Sequence, residues 1–163
     1  TVSKMSITRC FDELEAFNVP YLTVRSRARS ISADADKKAM WDNLQGILRN
    51  PVIKSYALRK LPDRIFPLSG LTALAHYSML DDGAFPVYAI TKKDLSAAGI
   101  FDNMLVPAGE DPACIIQELG YQILFGNGDA VDPLTAVLSI REEKKSDPRV
   151  SMAIDEMLEE HVW

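Results

Sequence analysis

The apolar side chains Ile7, Cys10, Phe11, Leu14 and Phe17 recur at i, i+3, i+4, i+7 and i+10, a stripe that an α-helix gathers along one side. Ser3 is placed to cap that helix, Asn18 can end it, and Pro20 opposes its continuation. The next stretch, Tyr21 to Ser32, is rich in β-formers at both ends and polar in its middle, which predicts two short strands joined near Ser26 to Ala28. Arg25, Arg27 and Arg29 alternate along this hairpin, and a period of two predicts that they share one face.

Small and acidic residues from Ala33 to Asp36 predict a boundary. Beyond it, Lys37 to Leu48 reads as a helix with Met40, Trp41, Leu44, Ile47 and Leu48 on its apolar side, stopped by Pro51. Val52 to Leu58 reads as a strand. Ser69 to Leu80 reads as an apolar helix capped by Ser69, with Leu71, Leu74, Ala75 and Met79 inside. A buried strand is expected over Phe85 to Ile90, then a short helix capped by Thr91 and running through Ala98. Met104 to Val106 and Cys114 to Ile123 read as strands. Asp132-Pro133 and Asp147-Pro148 each pair a capping residue with a first-turn proline, predicting one helix through Ile140 and a last one with Val150, Ile154, Met157 and Leu158 inside. Strands and helices mix without regular alternation, which favours α+β over a doubly wound sheet. There is no internal repeat and no low-complexity segment.

In 163 residues, 47% hydrophobic and 25% charged, there is material for one substantial core or two small ones, as in a soluble globular protein. No apolar run approaches the roughly 20 residues of a membrane-spanning helix, and no secretory leader pattern appears, so a cytoplasmic protein with no membrane partner is expected. Cys10 and Cys114 lie far apart, with neither a CxxC pair nor a bridge framework, which suits a reducing compartment and argues against structural zinc. Position 1 is Thr, so a trimmed chain is expected.

The net charge of −5 conceals a gradient. Residues 1–32 hold five basic and three acidic side chains, leaving −7 for the remainder, so any surface that seeks phosphate is at the amino end. A helix that reads DNA projects short polar and basic side chains from its first turns into the major groove, while its apolar stripe holds it to its domain. Ser3, Lys4, Ser6, Thr8 and Arg9 occupy that leading end, with Asp12, Glu13 and Glu15 further back. Arg9 suits a bidentate contact to guanine, Ser6 or Thr8 can reach a base or a phosphate, and Arg25, Arg27 and Arg29 can track a backbone or enter a minor groove. The plainer reading is a solvated amphipathic helix beside an exposed basic hairpin.

"SKMSITRCFDELE" at 3–15, followed by "YLTV" at 21–24, resembles the recognition helix and wing of bacterial winged-helix regulators of the MarR type, through the pattern S-x-x-[ST]-[IV]-x-R-x-x-x-x-L-E. That family carries two further helices ahead of this one, and the resemblance implies that they are missing here. "WDNLQGILRNP" (41–51), "LSGLTALAHYSMLDDGAFPVYAITKKD" (68–94), "VDPLTAVLSI" (131–140) and "DPRVSMAIDEMLEE" (147–160) are together similar to the carboxyl-terminal domain of winged-helix proteins related to antitoxins of type IV abortive-infection systems. The resemblance implies a transcriptional regulator that represses its own operon. It transfers no enzymatic activity and no effector.

The rest of the chain offers little chemistry. His76, next to Tyr77, has no second histidine at metal-ligating spacing, His161 being near the carboxyl end, and is expected to be buried or structurally hydrogen-bonded. Asp81-Asp82-Gly83 has too few oxygen ligands for a calcium loop and reads as a turn closing a helix. "GYQILFGNG" (120–128) lacks a phosphate-loop pattern, and Gly126-Asn127-Gly128 reads as a tight turn. Cys114 has no basic neighbour to activate it, and no serine sits in GxSxG. Trp41, Tyr77, Met79, Phe85 and Tyr88 are expected to be mostly core. Asp155, Glu156, Glu159 and Glu160 read as a solvated outer face that can alternatively meet a basic partner.

The expectation is an α+β protein in two parts. Residues 1–33 form a partial winged helix, a recognition helix with its β-wing, and 36–163 form a mixed α+β domain for dimerisation, partner binding or sensing. Double-stranded DNA is the expected partner, through Ser3, Lys4, Ser6, Thr8, Arg9, Arg25, Arg27 and Arg29. A homodimer and a protein partner stay open. Neither a catalytic residue, a metal nor a cofactor is expected. The rivals are an antitoxin-like interaction module and an enzyme in which His76 converges with Asp81 or Asp82.

Overall fold

The computed structural model describes residues 3–26, 28–32, 36–81, 83–100, 104–107, 109–122 and 128–163. They are mixed α+β, with seven helices and two small sheets among them. The chain divides into two compact units, residues 1–48 with Trp163, and residues 49–162.

The first unit is a helix, a hairpin and a second helix: α1 (Lys4–Ala16), β1 (Leu22–Arg25), β2 (Ala28–Ile31) and α2 (Lys37–Leu44). Ser3 caps α1 as its sequence predicts, its Oγ accepting the Ser6 N–H at 3.1 Å. Asn18 takes a left-handed φ of 51° after the helix, a conformation asparagine tolerates better than most residues. Asp36 caps α2 through the Ala39 N–H at 2.9 Å.

Two expectations fail here. The division falls at Leu48/Arg49 and not within 33–36, of which 33–35 lie outside the described residues. The reason is that α2 belongs with the hairpin: Asn43 Nδ2 donates to the Tyr21 hydroxyl at 3.2 Å, and Trp41 is buried in the same unit as Val19 and Tyr21. Helix α2 also stops at Leu44, short of Leu48, where the Ile47 N–H turns back three residues to the Leu44 carbonyl in place of the four-residue step to Asn43.

The second unit is built on β3 (Val52–Leu58), β4 (Val87–Thr91) and β5 (Cys114–Leu119), in the order β3-β5-β4. Central β5 runs antiparallel to β3, with Tyr56 opposite Ile116, and parallel to β4, with Val87 opposite Ile115. A parallel pair cannot be closed by a hairpin, so the chain crosses over between them through α4 (Lys92–Ala97) and the segment that follows. Both faces of β5 are covered. Ala89 and Leu119 meet Ala73, Ala130, Val131 and Ala136 on one side. Leu58, Ile90, Cys114 and Ile116 meet Phe66 on the other.

Helices α3 (Gly70–Tyr77), α5 (Pro133–Ser139) and α7 (Pro148–His161) pack on one another, and α6 (Glu142–Lys145), unanticipated from the sequence, packs on α7. Asp132 and Asp147 cap α5 and α7 ahead of Pro133 and Pro148 as predicted. Hydrogen bonds from Arg149 hold the Asp147 carboxyl below the usual carboxylate range.

Helix α3 departs from its prediction at both ends. Ser69 occupies the capping position, but its hydroxyl donates to Gln117 Oε1 at 2.6 Å and makes no cap bond. Gly70 enters the helix at φ 53°, where a Cβ would also lie 3.6 Å from the Gln117 amide. At the far end the helix stops at Tyr77, because Ser78 turns extended and its Oγ donates to the Leu74 carbonyl at 2.8 Å. Met79, expected inside, is therefore 95% exposed. Of the other expected strands, β4 is shifted to Val87–Thr91. Met104 to Val106 contributes only a bridge from Leu105 to Leu58, and β5 ends at Leu119, with Ile123 outside the described residues.

Gln117 ties the sheet to the helices through Ser69 on one side and, through Nε2, the Ser139 carbonyl at 3.4 Å on the other. Replacing it by leucine strands the buried Ser69 hydroxyl. Gln117→Leu is expected to lower unfolding free energy by about 1–3 kcal/mol in urea titration, and the double variant with Ser69→Ala to recover part of that loss, since removing both partners costs less than orphaning one. A double variant no better than the single would show that the bond is incidental.

Candidate nucleic-acid interface

Helix α1 presents two contrasting sides. At 100° per residue, Lys4 and Thr8 share one edge, Ser6 and Arg9 share another, and Met5 with Asp12 lies between them. This outward face points away from the stripe of Ile7, Cys10 and Leu14. Ser3, Lys4, Ser6, Thr8 and Arg9 are all exposed. Ser3 and Ser6 are also engaged with each other, their Oγ atoms 2.9 Å apart at the helix start. Met5, 73% exposed, was missed by sequence reasoning; its signal was its place outside the stripe, and a thioether there is suited to a thymine methyl.

The hairpin does not keep its arginines together. Pairing sets Arg25 opposite Ala28 and Val24 opposite Arg29, and directly paired residues share a face, so Arg25 and Arg29 project to opposite faces. The expected single face is overturned because the chain reverses between Arg25 and Ala28, which interrupts the period of two. Arg27 lies outside the described residues. Arg25 is exposed beside the turn.

Arg29 is half-buried and turned inward. Its guanidinium pairs with Asp12, lies 3.7 Å from Glu15, and sits 5.3 Å from the centroid of the Phe11 ring. It thus clamps the hairpin onto α1 and offsets two carboxylates near the edge that bears Lys4 and Thr8. Of the eight expected contact residues, the structure keeps six exposed, commits Arg29 to this clamp, and does not describe Arg27.

The apolar stripe of α1 is thinly covered. Phe11 and Leu14 are half-buried, whereas Ile7 is 46% and Phe17 57% exposed, and no residue of the helix is buried. Cys10 is exposed on the same side.

In the second unit, His76 is exposed, contrary to expectation, because it sits on the outer side of the last turn of α3. His76 and His161 each place a ring 5.1 Å from that of Tyr77, whose hydroxyl donates to the Val131 carbonyl at 2.9 Å. Burial, reinforced by the Asp132 charge, pushes the Tyr77 phenol up. Asp81 is exposed and Asp82 lies outside the described residues, as do Gly126 and Asn127. Among the described residues no three His, Cys, Asp or Glu side chains gather to hold a metal, and no helix is long and apolar enough to cross a membrane. Of the aromatic and methionine residues expected to be mostly core, Trp41 is buried in the first unit, Tyr77 and Tyr88 are half-buried against the cores of the second, Phe85 is half-buried, and Met79 faces solvent. Comparison with protein-family models, curated proteins and solved structures finds no match for this chain.

Two outcomes follow from this geometry. Arg29→Ala is expected to speed amide exchange across Leu22–Ile31 by up to about tenfold, with Arg29→Lys failing to restore it, because one ammonium cannot span two carboxylates and a ring. Unchanged exchange would remove the clamp from the account. Thiol titration is expected to show one immediate reaction at Cys10 and none at Cys114 until the protein unfolds, since Cys114 is fully buried and burial pushes its thiol up.

Proposed function

We propose that the protein is a DNA-binding transcriptional regulator, a repressor of its own operon, in which α1 is a recognition helix and β1–β2 its wing. One observation carries the reading. The outward face of α1 holds Lys4, Thr8, Ser6 and Arg9 exposed on its leading turns, and the following hairpin is clamped to the same helix by Arg29 with Arg25 left free on its other face. Arg9 and the polar side chains beside it read base edges, while Lys4 and Arg25 contact phosphate. The resemblance of 3–24 to MarR-type recognition helices and of 41–160 to antitoxin-related domains supports the same assignment. Residues from Arg49 onward serve dimerisation, partner binding or sensing.

The test is fluorescence-anisotropy binding to duplex from upstream of the gene and to scrambled duplex, across a salt series. Preference for the upstream duplex is expected, with Arg9→Ala lowering it by about 1–3 kcal/mol while salt-sensitive background binding persists, and Arg25→Ala weakening both duplexes and reducing the salt slope by about one unit. Absence of binding to either duplex at moderate salt would reject the reading. A second reading, a protein-interaction module, is favoured by the exposure of Ile7 and Phe17 on the α1 stripe and by the carboxylates along α7; it predicts a stable complex with a basic protein encoded nearby.

A further inference from the structure

Among the described residues of the second unit, an apolar surface lies open beside α7. A groove of about 530 Å3 lies between α7 and the chain leaving α3, with Leu80, Val150 and Ala153 in its walls. Two methionines border it, Met152 at 72% exposure and Met79 at 95%. Unbranched thioethers held out in water beside an apolar groove are suited to pack against another surface, where they adapt to its shape.

The flanking charges say which surface. Arg149, Met152 and Glu156 follow one another at spacings of three and four along the exposed side of α7, with Glu159 and Glu160 one turn further. The stripe is therefore basic at its amino end, apolar in the middle and acidic at its carboxyl end. Laid parallel on a copy of itself, it would set carboxylates against carboxylates. Laid antiparallel, about an axis between Met152 and Ala153, it sets Arg149 against the partner's Glu156 twice over and brings the two Met152 side chains to the centre. Arg149 already binds Asp147 through Nη2 at 3.1 Å and Nε at 3.4 Å, which fixes its direction and leaves Nη1 outside that pair.

We propose that a second copy of this chain docks here, its α7 antiparallel to the first across the groove bordered by Met79 and Met152. The contact is isologous, so each copy contributes both its arginine and its glutamate. This inference stands apart from DNA binding and is measured without DNA.

Sedimentation equilibrium of the full chain over a concentration series tests it. Wild type is expected to dimerise reversibly. Arg149→Glu and Glu156→Arg, each of which replaces two attractions by two repulsions, are expected to raise the dissociation constant by about tenfold or more. The charge-swapped double variant is expected to return within about threefold of wild type, because the antiparallel pairs are restored. Denaturant midpoints confirm that each variant is folded. Independently, Met152→Cys in a Cys10→Ser background is expected to form an intermolecular disulfide under mild oxidation. A wild type that stays monomeric at about 100 μM, a dimer indifferent to both reversals, or a double variant as weak as the singles would each overturn the proposal, and so would capture of a different protein on this face by an otherwise monomeric chain.

Discussion

The second unit depends on β5 being covered on both faces. A strand that gives Ile116 and Cys114 to one side and Leu119 to the other is stable only if both layers are present, and the layers are of different kinds. On one side, alanines at 73, 89, 130 and 136 let helices come close to the sheet. On the other, larger side chains from Leu58, Phe66 and the crossover close a second core. Gln117 points into the alanine side and would be costly there unpaired; bonded to Ser69 and to the Ser139 carbonyl, it sets the register of α3 and α5 against the strand. One half-buried amide thus connects both helices to the sheet.

The first unit rests on much less. Among its described residues the buried hydrophobics are Val19, Tyr21 and Trp41, and a 13-residue helix with no buried side chain gains little from packing. What holds α1 to the hairpin is chiefly Arg29, with one carboxylate in direct contact, another 3.7 Å away and an aromatic face beneath it. An ion pair this accessible is worth roughly a kcal/mol at most and weakens with salt. If α1 reads DNA, the wing is therefore held by an interaction of the same kind, and as easily screened, as the phosphate contacts it supports. Salt would act twice on binding, once on the contacts and once on their positioning.

Much of this fold was legible in the chain. Capping was the most reliable signal: Ser3, Thr91, Asp132 and Asp147 each accept the N–H of their helix, because a short acceptor ahead of an apolar period has few other uses. Strand β3 and the buried set of α7 followed from pattern alone. Where the reading failed, a distant partner decided. Ser69 looks like a cap, but Gln117, far along the chain, takes its hydroxyl. Met79 continues the period of α3, but Ser78 has already ended the helix. The hairpin arginines illustrate the same limit at the candidate site, since counting by twos works along a strand and breaks at a turn. Arg29 could not be told from Arg25 by composition; only the fold shows which of the two is spent on Asp12.

The two units place different demands on recognition. If α1 reads DNA, a single copy would offer a narrow face, with Arg9 and a few short polar groups around Met5, enough to discriminate two or three base pairs at about 1–3 kcal/mol each. Against the many competing sites of a genome that is a small advantage. Joining two copies through α7 would convert the second encounter into an intramolecular one, multiplying discrimination without any new contact on either helix. It would also impose two-fold symmetry on the sequence recognised. If α1 reads DNA, the acidic carboxyl end of α7 has a consequence beyond its own pairing: Glu159 and Glu160 would keep a dimer surface there unattractive to phosphate and leave nucleic acid to the basic amino end.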